Sequence, residues 1–237
     1  MASAQQVRQR SFTGVAGLGL LVIVAILLLV DLALIFLWAP TELVLGEVQR
    51  IFYLHVPSAL VGFMAFAVVA VGSVGYFWKR TAKWDRLAHS AVEVGVMFFT
   101  VALISGAIWA KPVWGTWWTW DPQLTTTFVL WVVYLVYLMV RAYVPSKDQA
   151  ARYSAVIGIM GFPLVLLVYR AAELWAGIHP GTVVGPGAES DALDKDISLV
   201  FTFSLATFTL LFVYLLWQRV LVHKAEETVE ELRASIK

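Results

Sequence analysis

Five of the eleven tryptophans of this 237-residue chain fall within twelve residues, in the stretch Trp109-Ala110-Lys111-Pro112-Val113-Trp114-Gly115-Thr116-Trp117-Trp118-Thr119-Trp120-Asp121-Pro122. Indole faces offer large apolar area at low entropic cost, and each carries one N–H donor at its edge. Several such faces held together, with Gly, Pro and Asp among them, suit a flat aromatic ligand such as a porphyrin or a quinone. The other reading is an interfacial aromatic belt, and Trp38, Trp78, Trp175 and Trp217 at the ends of apolar runs fit it. A belt needs one or two aromatics per span end, so the crowd at 109–120 reads as a platform. The prolines and the glycine argue against an uninterrupted helix through its middle.

The histidines are next. His55 stands before Pro57, and His179 sits in the Gly- and Pro-rich run Ile178-His179-Pro180-Gly181. A histidine in a loop often serves only as a hydrogen-bonding residue. Two neutral imidazoles on opposite faces of a planar macrocycle would instead fill both axial positions of a haem iron. A zinc-only site fits less well there, because tetrahedral zinc usually takes more protein ligands. Arg50 and Lys111 could pair with ligand carboxylates such as haem propionates, or could simply snorkel at an interface. Asp121 could take an indole hydrogen bond, or cap a following helix with Pro122 at its first position. Glu189, Asp191, Asp194 and Asp196 form an acidic patch, read as solvated or as a docking surface.

Composition sets the surroundings. Apolar residues make up 60% of the chain, charged residues 14%, and the mean hydropathy is +0.80; a soluble domain carries about 25% charged residues. There is no cysteine, which excludes a disulfide framework, thiol catalysis and a covalent C-x-x-C-H haem site. No basic stripe marks nucleic acid, no phosphate-binding glycine loop marks an ATPase, and no Ser-His-Asp set can be argued from spacing.

Six apolar runs, 15–38, 57–78, 88–109, 124–144, 153–175 and 197–217, meet or approach the roughly 20 residues needed to cross a bilayer core. The first is longer than a signal-peptide core and reads as a retained span. Pro163 should kink the fifth, which could also stop near Tyr169. Residues 219–237 fit an exposed amphipathic helix, so the chain divides into a membrane domain, 1–218, and a C-terminal tail, 219–237. With six spans both termini share a side, and that side carries thirteen of the seventeen Lys and Arg residues. The positive-inside rule places it in the cytoplasm. The tryptophan stretch, His55 and His179 are then external, while His89 and His223 are cytoplasmic. The expected fold class is an all-α integral membrane protein of six helices, with the tryptophan segment 109–125 between helices 3 and 4.

Trp114-Gly115-Thr116-Trp117-Trp118-Thr119-Trp120-Asp121 resembles the tryptophan-rich "WWD" motif of haem-handling proteins in cytochrome c maturation. Leu124-Thr125 after the Asp, and Arg50-Ile51-Phe52-Tyr53-Leu54-His55-Val56-Pro57, narrow the resemblance to the CcmC family, haem exporter protein C. The synthetases of the second maturation system tend to carry Lys-Glu-Thr after the Asp. The resemblance covers nearly the whole chain. It implies transient, non-covalent binding of b-type haem at the external face of a bacterial inner membrane. Trp114, Gly115, Trp117, Trp118, Trp120 and Asp121, with Arg50 and Lys111, would form the haem surface, and His55 and His179 would ligate the iron. It implies delivery to a membrane-anchored haem chaperone, with no classical catalytic activity. The implied partners also include an ABC-type ATPase with its membrane subunits and a small single-span accessory protein. Many members carry an Arg where this chain has Gln123.

Two other readings remain. A cytochrome c synthetase would require a longer chain or a large external domain. A transmembrane carrier of haem or solute would line its path with mid-membrane polar groups, for which Asp31 and Glu93 are the candidates.

Overall fold

The computed structural model describes residues 4–175, 177–181, 184, 188 and 193–236; Glu189 and Asp191 of the acidic patch lie outside the described residues. Six helices account for nearly all of them: α1 (Ala4–Ala33), α2 (Phe52–Lys79), α3 (Ala82–Trp114), α4 (Pro122–Tyr143), α5 (Lys147–Leu174) and α6 (Lys195–Ile236). All six are long and apolar enough to cross a membrane.

Several boundaries differ from the sequence expectation, each with a local cause. A 3₁₀ turn, Glu47–Ile51, runs directly into α2, so the helix begins at Phe52 and His55 is helical. Pro57 lies inside α2 and leaves the Tyr53 carbonyl without its usual donor, close enough to the helix start to be tolerated. At the other end of the site, α3 runs through Pro112 and stops at Gly115, which takes φ 75° and sends its N–H to the Lys111 carbonyl at 3.0 Å. That left-handed conformation suits glycine, so Trp109 and Trp114 are helical and only 115–121 is irregular. Pro163 likewise lies within a continuous α5, which ends at Leu174 rather than near Tyr169. The charged C-terminal stretch continues α6 without a break. At 42 residues, and about 1.5 Å per residue, α6 outruns the roughly 30 Å bilayer core.

α2 is the centre of the bundle and packs on α3, α5 and α6; α4 packs on α5, and α1 rests mainly on α6. In the α2–α4 core the Phe66 and Tyr134 rings stack at 3.7 Å and 4°. Phe66 also meets Phe99 at 5.3 Å, so α3 joins the same aromatic layer. The one buried acid of α1, Asp31, accepts a 2.7 Å hydrogen bond from Ser204 of α6. A buried carboxyl group with a partner pins two helices; without one it would be costly. Asp31 therefore fits a structural role between α1 and α6.

Candidate functional site

The N-terminal part of α2, the C-terminal part of α3, the start of α4, the end of α5 and the loop after it surround a cavity of about 450 Å³. His55 and His179 both line it, as do Trp109, Trp114 and Trp118. The sequence separates the two histidines by more than a hundred residues; the fold brings them to one chamber.

Each imidazole is oriented through its Nδ1 atom. His55 Nδ1 is 3.0 Å from the Ala102 carbonyl and 3.2 Å from Ser105 Oγ. The carbonyl can only accept, and the Ser105 hydroxyl donates to Val101 O at 2.7 Å. Nδ1 therefore carries the proton, and Nε2 keeps its lone pair. His179 repeats this, with Nδ1 donating to the Pro180 carbonyl at 2.8 Å. A backbone carbonyl on Nδ1 is the usual device that readies Nε2 for a metal. Partial burial holds the His179 pKa below the ordinary histidine value, against opposing pulls from the Pro180 carbonyl and the Asp121 carboxylate. Its neutral, ligating form therefore persists to lower pH than that of free imidazole.

Each histidine also has a tryptophan set edge-on. Trp109 meets His55 at 5.7 Å and 68°, and Trp114 meets His179 at 6.2 Å and 64°. His55 lies so close to α3 that a Cβ at Gly106 would stand 2.8 Å from its Cε1. Gly106→Val is therefore expected to push the ring away and weaken any ligand bound through His55, by about tenfold in affinity, measured by titration with retained helical content as the control.

Asp121 joins the parts. Its Oδ1 accepts the Leu124 N–H at 2.9 Å, capping α4 with Pro122 at the first position, one of the two readings the sequence left open. Its Oδ2 accepts the His179 N–H at 3.3 Å, which ties the loop after α5 to the tryptophan segment. Beside it, Gln123 lines the cavity and accepts the Ala172 N–H of α5 at 3.1 Å. Its amide thus braces α4 against α5.

The five tryptophans divide. Trp109, Trp114 and Trp118 line the cavity, while Trp117 and Trp120 are exposed at 57% and 72% and do not. Trp120 packs edge-on against Trp118 and Phe128 at 5.7 and 6.3 Å. The Nε1–H groups of Trp109 and Trp118 are buried and have no hydrogen-bond partner among the described residues, so the two indoles line the chamber with ring carbon rather than with their donors. Gly115 serves as the turn that ends α3.

The two cations are occupied elsewhere. Arg50 donates to the Ile35 carbonyl in the π-helical turn Leu34–Trp38 that follows α1, and pairs with Glu47 at 2.5 Å. Lys111 donates to the Gly115 carbonyl at 2.9 Å. Neither lines the cavity. Sequence reasoning did not single out Phe52, Phe63, Phe99 or Tyr169 as part of the chamber wall. Their aromatic character was visible, but an aromatic residue in an apolar span reads equally well as core.

A chamber of this kind, with two oriented imidazoles and facing indoles, can be compared with known proteins. The family described as CcmC, Heme exporter protein C, matches residues 2–235. The chain belongs to the haem exporter protein C family. It is similar to the Heme exporter protein C of Paracoccus denitrificans, 35% identical over 180 residues, covering 75% of this chain and 73% of the relative. That of Rhodobacter capsulatus is 31% identical over 191 residues, covering 78% and 76%. That of Escherichia coli K12 is 29% identical over 198 residues, covering 82% and 80%. Family membership thus spans both histidine segments and the tryptophan segment.

Proposed function

We propose that this protein handles haem for cytochrome c maturation, binding it as cargo in the chamber between His55 and His179 and passing it to a membrane-anchored haem chaperone. The observation that carries this reading is the matched pair of histidines lining one cavity, each with Nδ1 bound to a backbone carbonyl and with no hydrogen bond to Nε2 among the described residues. Imidazoles on both faces of the macrocycle give six-coordinate iron. The bound haem is b-type and non-covalent, since the chain has no cysteine to attach it, and its residence is transient.

Trp114 and Trp118 supply apolar area for the porphyrin. Arg50 and Lys111 join the site only by exchanging their present protein oxygens for ligand carboxylates. The exposed Trp117 and Trp120 extend the platform outward, where an incoming chaperone would meet the haem edge. The Lys and Arg bias supports a reading with both termini in the cytoplasm and this chamber on the external face, which in that reading is the periplasmic face of a bacterial inner membrane. In this reading the ATPase subunits, their membrane partners and a small single-span protein complete the assembly.

Loading the purified protein with haem tests the proposal. A stoichiometric Soret band is expected, weakened when His55 or His179 is replaced. No Soret absorbance after haem supplementation would contradict it.

A further inference from the structure

At the end of the bundle away from the tryptophan segment, α3 carries Asp85, His89 and Glu93 at four-residue spacing, on one helix face. The late turns of α6 bring Arg219, His223 and Glu226 to that face, and α4 brings Arg141. His223 Nε2 lies 2.9 Å from Glu93 Oε2, and His89 Nε2 lies 3.7 Å from Glu93 Oε1. One ligating atom from each of His89, Glu93 and His223 falls within 4.8 Å of the others. Two imidazoles and one carboxylate form the donor set that holds zinc with a fourth position left open. A cavity of about 230 Å³ adjoins His89 and His223 and offers that position room.

The surroundings fit a cation. His223 Nδ1 is 3.1 Å from Glu226 Oε2, the carboxylate–histidine arrangement that turns the other nitrogen toward a metal. Asp85 pairs with Arg141, Glu93 with Arg219, Glu227 with Arg86 and Glu230 with Lys147. Glu226 is left with His223, so the carboxylates around the cavity outnumber the permanent cations by one. We propose that His89, Glu93 and His223 bind one divalent first-row metal ion, zinc by the character of the donors, linking α3 to the extended end of α6.

On binding, His223 releases any Nε2 proton to solvent and keeps the Nδ1 proton on Glu226. His89, whose Nε2 faces Glu93 and whose Nδ1 faces Arg141, gives its Nε2 proton to solvent, takes one at Nδ1 and gives up the Arg141 contact. Glu93 exchanges its contact with His223 for a metal–oxygen bond. Arg219, which donates to both Glu93 oxygens at 2.7 Å, stays on the remaining lone pairs, since a carboxylate offers about four. The two imidazoles now stack at 4.3 Å and 24°, and a small swing of each ring turns both Nε2 atoms onto a shared ion. Arg141 touches His89 Nδ1 at 3.4 Å, but its firm partners are the Asp85 oxygens at 2.7 and 2.9 Å.

The test uses the untagged full-length protein, equilibrated with zinc and dialysed, with metal content read by plasma mass spectrometry and coordination by zinc X-ray absorption. One zinc per chain with an imidazole-containing nitrogen and oxygen shell is expected. His89→Gln and His223→Gln should each weaken binding by at least about tenfold, while the His55→Ala/His179→Ala double variant keeps the ion. If a glutamine variant fails to fold by circular dichroism, the wild-type absorption spectrum decides, and a shell without imidazole overturns the proposal. Absence of stoichiometric zinc, zinc retained by both folded glutamine variants, or zinc lost only with His55 and His179 would each overturn it too.

Discussion

In the His55→Ala variant, loaded haem is expected to change from six-coordinate low-spin to five-coordinate, with at least about a tenfold loss of affinity. The substitution removes the only atom on α2 placed to ligate iron, and it takes one of two side-chain contacts from the Ala102 carbonyl, which keeps Ser105 Oγ at 3.2 Å. Ser105 keeps its own bond to Val101, so α3 itself is little disturbed. The space vacated lies between Gly106 and Trp109, both on α3 and both lining the cavity. Free imidazole should enter that space and restore the six-coordinate spectrum. Resonance Raman with and without imidazole checks both parts. Unchanged ligation in the variant would remove His55 from the account.

The second large effect is expected at Asp121, because one carboxylate serves two structures. Asp121→Ala should lose the α4 cap, about 1 kcal/mol, and also the charge-assisted bond to the His179 N–H, about 1.5–3 kcal/mol. Haem dissociation should accelerate by about an order of magnitude or more, since a bond energy of that size corresponds to about tenfold in an equilibrium constant. Asp121→Asn separates the contributions. Its carbonyl oxygen still caps Leu124, but its amide presents a donor to the His179 N–H, where an acceptor is needed. Thermal stability near wild type with fast haem release is therefore expected of the Asn variant, and loss of both from the Ala variant. Haem release at the wild-type rate in both variants would show that Asp121 does not hold the histidine loop.

Much of this site can be read in the sequence because its parts are local. Asp121-Pro122 followed by an apolar run announces a helix cap, and the cap is there. The six apolar runs mark the six helices, because roughly 20 uninterrupted apolar residues leave few alternatives. Their ends were harder. Pro57, Pro112 and Pro163 all lie inside helices, where packing outweighs the local penalty. For that reason the third helix runs on past Trp109 to Trp114, and the platform splits into three lining indoles and two exposed ones. The roles of Arg50 and Lys111 turn on backbone carbonyls at helix ends, and sequence spacing does not reveal which carbonyls are left free. The His89, Glu93 and His223 cluster was hidden for a different reason. Its third member stands 130 residues from Glu93, and only the unbroken length of α6 carries it back to α3.

The central claim is that one haem is held between two histidines whose Nδ1 atoms are fixed by backbone carbonyls. The most direct test is the electron paramagnetic resonance spectrum of the ferric, haem-loaded wild-type protein beside His55→Ala and His179→Ala. The account predicts a low-spin bis-imidazole signal in the wild type, and its replacement by a high-spin signal in each variant. A high-spin wild type, or a low-spin signal that survives both substitutions unchanged, would contradict it.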